Sequence, residues 1–279
     1  MRGIPLRYAP VVALIAVLAL LVGDRLATAH ETWILPASMR VPVNKPVAFD
    51  LTSGMAFPAD DFAIDPQRVV KAHARLGGTI EEIQRRIVRR NSLRFVWTPR
   101  TTGVGTIAVE LAPKTLLLDP KLINEYYDEI HASAAIRAQW DSIPSPKKWR
   151  ESYVKHATSF VRVGSRVNDT SWAIPLGLGL EIVPERNPTD LAAGETLRVR
   201  VLRGGIPLGG FQIGARRENA AESADVFVTT DGAGRATIAL PRQGRWLLFG
   251  TDLRRARETG LEWRSDFVTT TIGVGARRR

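Results

Sequence analysis

Four histidines and no cysteine set the chemistry open to this 279-residue chain. Without a thiol there is no disulfide framework, thiolate metal site, iron–sulfur cluster or cysteine nucleophile, which leaves imidazole and carboxylate as the main ligand types. His30 is the most informative of the four. Ala27-Thr28-Ala29 puts small residues at the two positions a signal peptidase reads, Arg2 and Arg7 form a basic leader, and Val11 to Val22 is an uncharged apolar run of twelve residues. That run is shorter than the ~20 residues a spanning helix needs. The pattern predicts a secretory signal over residues 1–29, cut between Ala29 and His30, and hence a periplasmic or secreted protein that meets the membrane only before cleavage. A new N-terminal histidine offers its α-amine and imidazole to one metal ion. A second histidine completes a brace suited to the tetragonal preference of Cu(II) or Ni(II). His156, His131 and His73 are the candidates for that place, since beyond residue 157 the chain has no His, Cys or Met.

Export also changes what the charge can mean. The chain holds 39 basic and 28 acidic residues, a formal +11; removing the 29-residue leader, with its three arginines and one aspartate, leaves 250 residues at +9. With only seven lysines, the excess is nearly all arginine, clustered at Arg85, Arg86, Arg89 and Arg90, at Arg254, Arg255 and Arg257, and in the tail Arg277 to Arg279. Such runs read as solvated surface or as a dock for anionic lipid, polysaccharide or an acidic partner. No aromatic residues interleave them, which argues against nucleic acid. No Gly-x-Ser-x-Gly elbow, phosphate loop or HExxH pair is present, and the carboxylates of Asp60-Asp61 and Glu81-Glu82 diverge in either regular structure. The expectation is a non-enzyme with no organic cofactor; a histidine-brace copper protein is the third reading.

The elements that must position these residues are mostly strands. His30 to Leu35 and Val41 to Leu51 are apolar and β-branched runs punctuated by Pro36, Pro42 and Pro46; Leu93 to Thr98 and Thr106 to Leu111 alternate. Thr79 to Arg90 fits a short helix or a polar strand pair. Asp119-Pro120 predicts a helix start, followed by Ile123, Tyr126, Tyr127, Ile130 and Ala134 at helical spacing. Ser145-Pro146 predicts a second, with Trp149, Tyr153, Ala157 and Phe160 as its buried stripe. From Leu180 onward, strands recur every eight to twelve residues, and Asp231-Gly232-Ala233-Gly234 reads as a hairpin turn rather than a calcium loop. The expected fold is mainly β, with two β-sandwich domains. The first spans 30–165 with a helical insert at about 119–160; the second, immunoglobulin-like or transthyretin-like, spans 175–275, with the boundary in Gly164 to Gly179.

The mature start His30-Glu31-Thr32-Trp33-Ile34-Leu35-Pro36 resembles the HDFWLxP opening of the periplasmic proteins grouped as domain of unknown function 4198. Tyr153 to Gly164 (YVKHATSFVRVG), Leu180 to Pro188 (LEIVPERNP), Gly194 to Pro207 (GETLRVRVLRGGIP), the TTDGAGRATIALPRQGRWLL segment from Thr229, and Asp266 to Thr271 extend the resemblance over nearly the whole mature chain. The resemblance implies a binding or accessory protein for Ni(II) or Co(II), working with a membrane metal transporter. The alternative is a cell-envelope protein-interaction module without metal. Many members of that family carry a histidine in the strand after the W-L-L motif, where this chain reads Phe249-Gly250-Thr251-Asp252; either Asp252 serves there as a harder oxygen ligand or that site is lost.

Overall fold

The computed structural model describes residues 30–165, 168–222 and 225–277; the expected signal segment, residues 1–29, lies outside them. In chain order the strands of the first half are β1 (Glu31–Pro36), β2 (Arg40–Val41), β3 (Val47–Gly54), β4 (Phe62–Ala63), β5 (Val69–Leu76), β6 (Thr79–Glu82), β7 (Arg86–Val88), β8 (Leu93–Trp97), β9 (Gly103–Leu111) and β10 (Lys114–Leu118). Two helices follow, α1 (Ile123–Glu129) and α2 (Ala134–Asp141), and then β11 (Trp149–Val163). The second half comprises β12 (Leu180–Pro184), β13 (Leu191–Ala192), β14 (Glu195–Arg203), β15 (Ile206–Pro207), β16 (Gln212–Arg217), β17 (Val226–Thr229), β18 (Arg235–Leu240), β19 (Gly244–Arg255) and β20 (Trp263–Gly275). The chain is mainly β, as its alternation predicts.

One long sheet, ordered β17-β16-β19-β20-β11-β9-β5-β6, runs through both halves. Its middle joint is a parallel pairing of β11 with β20, from Glu151 opposite Trp263 to Ser159 opposite Thr271. Side chains alternate across a strand, so this sheet feeds two cores on opposite faces. Odd-numbered residues of β11 and β9 (Ala157, Val161, Val163, Ile107, Val109) pack against the small sheet β1-β3-β8-β7 through Phe49, Leu51, Leu93 and Phe95. Even-numbered residues (Phe160, Val104, Val268, Ile272) pack against the sheet of β12, β14, β15 and β18 through Ile182, Leu197, Val199 and Ile238.

Residues 145–160 are not a helix. They lie in a turn and in β11, so the helical insert ends at Asp141 and the sequence reading of a second helix is corrected. The spacing that suggested a helix, Trp149, Tyr153 and Ala157, is four residues each time, and four is also a multiple of the strand period of two. Phe160 then falls on the opposite face, and Val154, Thr158, Val161 and Val163 supply the β-branched character that favours strand. The first predicted helix start is present: Asp119 accepts a hydrogen bond from Lys121 N at 3.0 Å, as a cap does, and opens a 3₁₀ turn that leads into α1. Thr79 to Arg90 resolves into β6 and β7, which belong to different sheets. The Asp231 turn is likewise not a hairpin, because β17 pairs with β16 whereas β18 pairs with β14. Asp231 Oδ1 accepts from Ala233 N and Arg235 N, each at 2.9 Å. Such an Asx turn reverses the chain without dictating which sheet it enters.

The helices cover the end of the central sheet with an aromatic stack. Trp149 of β11 and Trp263 of β20 lie face to face at 4.8 Å, and Tyr126, Tyr127 and Trp140 meet Trp149 edge-on at 5.5–5.6 Å. Beneath them the Glu151 carboxylate is fully buried and accepts hydrogen bonds from Tyr126 Oη at 2.8 Å, Trp149 Nε1 at 2.9 Å and Ser265 Oγ. This packing fixes the end of α1, and with it Glu129 and His131, over β1 and β20.

Candidate functional site

β1 crosses the central sheet on the same face as α1, and between them lies a cavity of about 20 Å³, room for one water molecule. Glu31, Glu129, His131, Phe227, Phe249 and Phe267 line it. His131 also stands in a wider open cleft of about 440 Å³ whose wall includes Asp252, Gly209 and Gly210. Ile130, His131, Gln212 and Thr251 are common to both, so the cleft is a way in from solvent. His131 takes a left-handed backbone conformation (φ 51°) just beyond α1, and its ring rests on Phe227 at 4.2 Å. That conformation is uncommon for a non-glycine residue, with histidine among those that tolerate it best.

Charged groups of both signs crowd around this cavity. Arg216 serves three carboxylates, Asp225 at 2.7 Å, Glu222 at 3.8 Å and Glu31 at 3.9 Å. Lys155, from the face of β11 that packs under β1, donates to the carbonyl of His30 at 2.6 Å and lies over the rings of Phe267 and Tyr153 at 5.5 and 5.8 Å. Among the described residues no carboxylate reaches Lys155, and no cation reaches Glu129, at ion-pair distance. Burial, reinforced by Arg68, brings the Lys155 amine down to about 7, Glu31 and Glu129 only partly offsetting it. Burial, reinforced by Glu31 and Glu125, pushes Glu129 up to about 7. Glu31 is also raised by burial, with Arg216 opposing. Raised acids and a lowered base gathered at one cavity are what a binding or proton-handling site presents.

The sequence-derived ligand candidates separate into two groups. His30 is buried, stacks on Phe62 at 5.8 Å, and leaves Nδ1 without a partner. Burial and the charge of Lys155 hold its imidazole below the usual range, and burial does the same for His131. Glu222 is a charge neighbour of both. His131 and Asp252 border the open cleft, while His30 lines neither space; Asp252 is clamped by Arg254 at 2.8 Å and Arg203 at 3.0 Å. His156 and His73 lie on the opposite face of the central sheet. His156 sits between two carboxylates, with Nε2 3.0 Å from Asp266 Oδ1 and Nδ1 3.3 Å from Glu110 Oε2. Burial opposes its charge, but these two partners outweigh burial and raise its pKa, and both ring nitrogens face carboxylates. His73 alternates with Lys71 and Arg75 along β5, two cations on its own face. Among the described residues no three His, Asp or Glu side chains stand close enough to hold one ion.

Sequence reasoning missed Glu31, Glu129, Glu222 and Lys155. Lys155 carried a signal: in a strand reading it falls between Tyr153 and Ala157 on a buried face, where a lysine is rare.

A family model described as domain of unknown function (DUF4198) matches residues 27–249. No curated protein matches the chain. Among solved structures, the D0-D1 domain of intimin aligns over 87% of this chain and 97% of its own, at 10% identity and a TM-score of 0.22. The Yersinia pseudotuberculosis adhesin InvE aligns over 87% and 58%, at 11% identity and 0.23. The mouse nectin-like molecule 4 ectodomain aligns over 90% and 66%, at 10% identity and 0.21. Scores this low carry no functional argument.

Proposed function

The chain belongs to the family described as domain of unknown function (DUF4198), and we propose that it is an exported, non-catalytic binding protein for a divalent transition-metal ion. The ion is Ni(II) or Co(II) on the family resemblance, and the protein works beside a membrane transporter. The proposed location is the cavity between β1 and the end of α1. The observation that carries this reading is the set of donors there: Glu31, Glu129 and His131 line the cavity, and burial lowers the pKa of His131 and of His30, whose Nδ1 is buried without a partner. A divalent cation complements such carboxylates and neutral imidazoles.

The donor types fit. His30 Nδ1 is buried without a partner, and burial keeps both His30 and His131 neutral at pH 7, the form that ligates. Imidazole with carboxylate suits nickel and cobalt. His30, His131, Glu129 and Glu31 would hold the ion. Since no three such groups already converge, uptake requires the turn bearing Glu129 and His131 to close toward β1. Isothermal titration of protein beginning at His30 with Ni(II), Co(II) and Cu(II) tests this. Binding should weaken at least about tenfold, roughly 1.4 kcal/mol, in His30→Ala and in His131→Ala, and stay unchanged in His73→Ala. No binding of any of the three ions, or equal binding by His131→Ala and the parent, overturns the reading.

A second reading, an envelope interaction module without metal, is favoured by β7. It is the edge of its sheet, and with β6 it exposes Ile80 (50%), Ile87 (37%) and Val88 (66%) among Arg85, Arg89 and Arg90. An exposed strand edge of this composition accepts an acidic extended segment by strand addition. A partner recovered from envelope extract in the presence of chelator supports this reading; recovery that needs added metal overturns it.

A further inference from the structure

The far end of the β19–β20 hairpin carries a second cleft, independent of the metal reading. Arg203, Arg254, Arg255, Arg257 and Arg264 surround a space of about 450 Å³ with Glu258. Four of these guanidiniums are held in place. Arg254 bonds Asp252 at 2.8 Å and Asp266 at 2.7 Å, Arg203 bonds Asp252 at 3.0 Å, Arg264 pairs with Glu258, and Arg255 lies over the ring of Trp263 at 4.9 Å. Arg257 has no side-chain partner among the described residues. Five cations facing Asp252, Asp266 and Glu258 leave two positive charges uncompensated. Each guanidinium presents up to five N–H donors in a rigid fork, so the pairs above leave donors free.

We propose that this cleft binds a phosphate group. The residual charge matches a phosphate dianion, the fork geometry matches two oxygens of a phosphate, and the anchored side chains lose little freedom on binding. The group belongs either to a soluble phosphate compound or to an anionic lipid headgroup, and the experiment has one arm for each. Inorganic pyrophosphate is titrated calorimetrically into the full mature protein. Sedimentation with phosphatidylcholine vesicles, with and without phosphatidic acid, is run in parallel.

Binding in either arm is expected, weakening as salt is raised. Arg257→Glu, an exposed substitution that breaks no contact, should weaken it about tenfold or more, as should Arg203→Gln, whose partner Asp252 keeps Arg254. Arg89→Glu with Arg90→Glu, in the separate basic cluster, should leave it unchanged. Binding of pyrophosphate alone assigns a soluble ligand; binding of phosphatidic acid vesicles alone assigns a lipid headgroup. Binding in neither arm, or equal loss in the Arg89/Arg90 variant, overturns the proposal.

Discussion

His156→Gln isolates a buried ion triad from everything else in the fold. The imidazole is 2% exposed and lies between Asp266 and Glu110, whose side chains are 12% and 17% exposed. Glutamine is neutral and can donate to only one of them, so the variant leaves two carboxylates facing each other. Removing one partner of a buried pair costs ~3–5 kcal/mol. Glu110 keeps Lys71 at 3.5 Å and Asp266 keeps Arg254 at 2.7 Å, which places the expected loss at the lower end, about 3 kcal/mol. For a chain of this size that is a fall of about 6–12 °C in Tm.

The pH dependence has a definite sign. The folded pKa of His156 is raised above its ordinary 6.5, so its stabilisation is fully present below about 6.5 and is lost as pH rises through the folded value. Glu110, chiefly through the His156 hydrogen bond, and Asp266, where hydrogen bonds from His156 and Arg254 outweigh burial, are lowered. Their contribution is lost as pH falls through those lowered values. The stability gap between parent and variant should therefore be widest between about pH 5 and 6.5 and shrink toward pH 8.5. Urea denaturation of both proteins across this range measures it. A gap below about 1 kcal/mol at pH 5.5, or one that does not change with pH, refutes the ion-triad account.

Two further substitutions probe the helical cap. Glu151→Ala strands the donors of Tyr126, Trp149 and Ser265 and should cost ~3 kcal/mol, with Glu151→Gln costing less because it keeps an acceptor; equal losses by urea denaturation would mean the carboxylate is not what organises the three. Trp263→Ala removes one face of the Trp149 stack and should cost ~3–5 kcal/mol and shift the tryptophan emission; a loss under about 1 kcal/mol would show that the stack is not part of the core.

The strands were legible where alternation was local. Thr196 to Leu202 and Ala236 to Leu240 fall within β14 and β18 because their large apolar residues, Leu197, Val199 and Val201 and then Ile238 and Leu240, recur at every second position. β11 reads as a helix because Trp149, Tyr153 and Ala157 satisfy both periods, and only the β-branched residues between them separate the two. The β11–β20 pairing has no local signature at all: Ser159 and Thr271 meet because two cores need a common wall, which no window of sequence shows. The site was legible in its histidines and not in its charges. His30 and His131 stood out as rare ligand types, whereas Glu31, Glu129 and Lys155 resemble ordinary surface residues until the fold buries them together.

The shared central sheet also sets the order in which the chain can finish folding. β11 is flanked on one side by β9, already made, and on the other by β20, whose first residue is Trp263. Until that strand is available, β11 presents an unsatisfied edge and the Trp149 stack lacks its second ring. Contacts of such long sequence separation form slowly, and an open edge invites pairing with other chains. A chain shortened before residue 263 should consequently lose more than its last strand: the second core loses Val268, Ile272 and Val274, the helical cap loses Trp263 and Phe267, and aggregation rather than a stable half-molecule is the outcome.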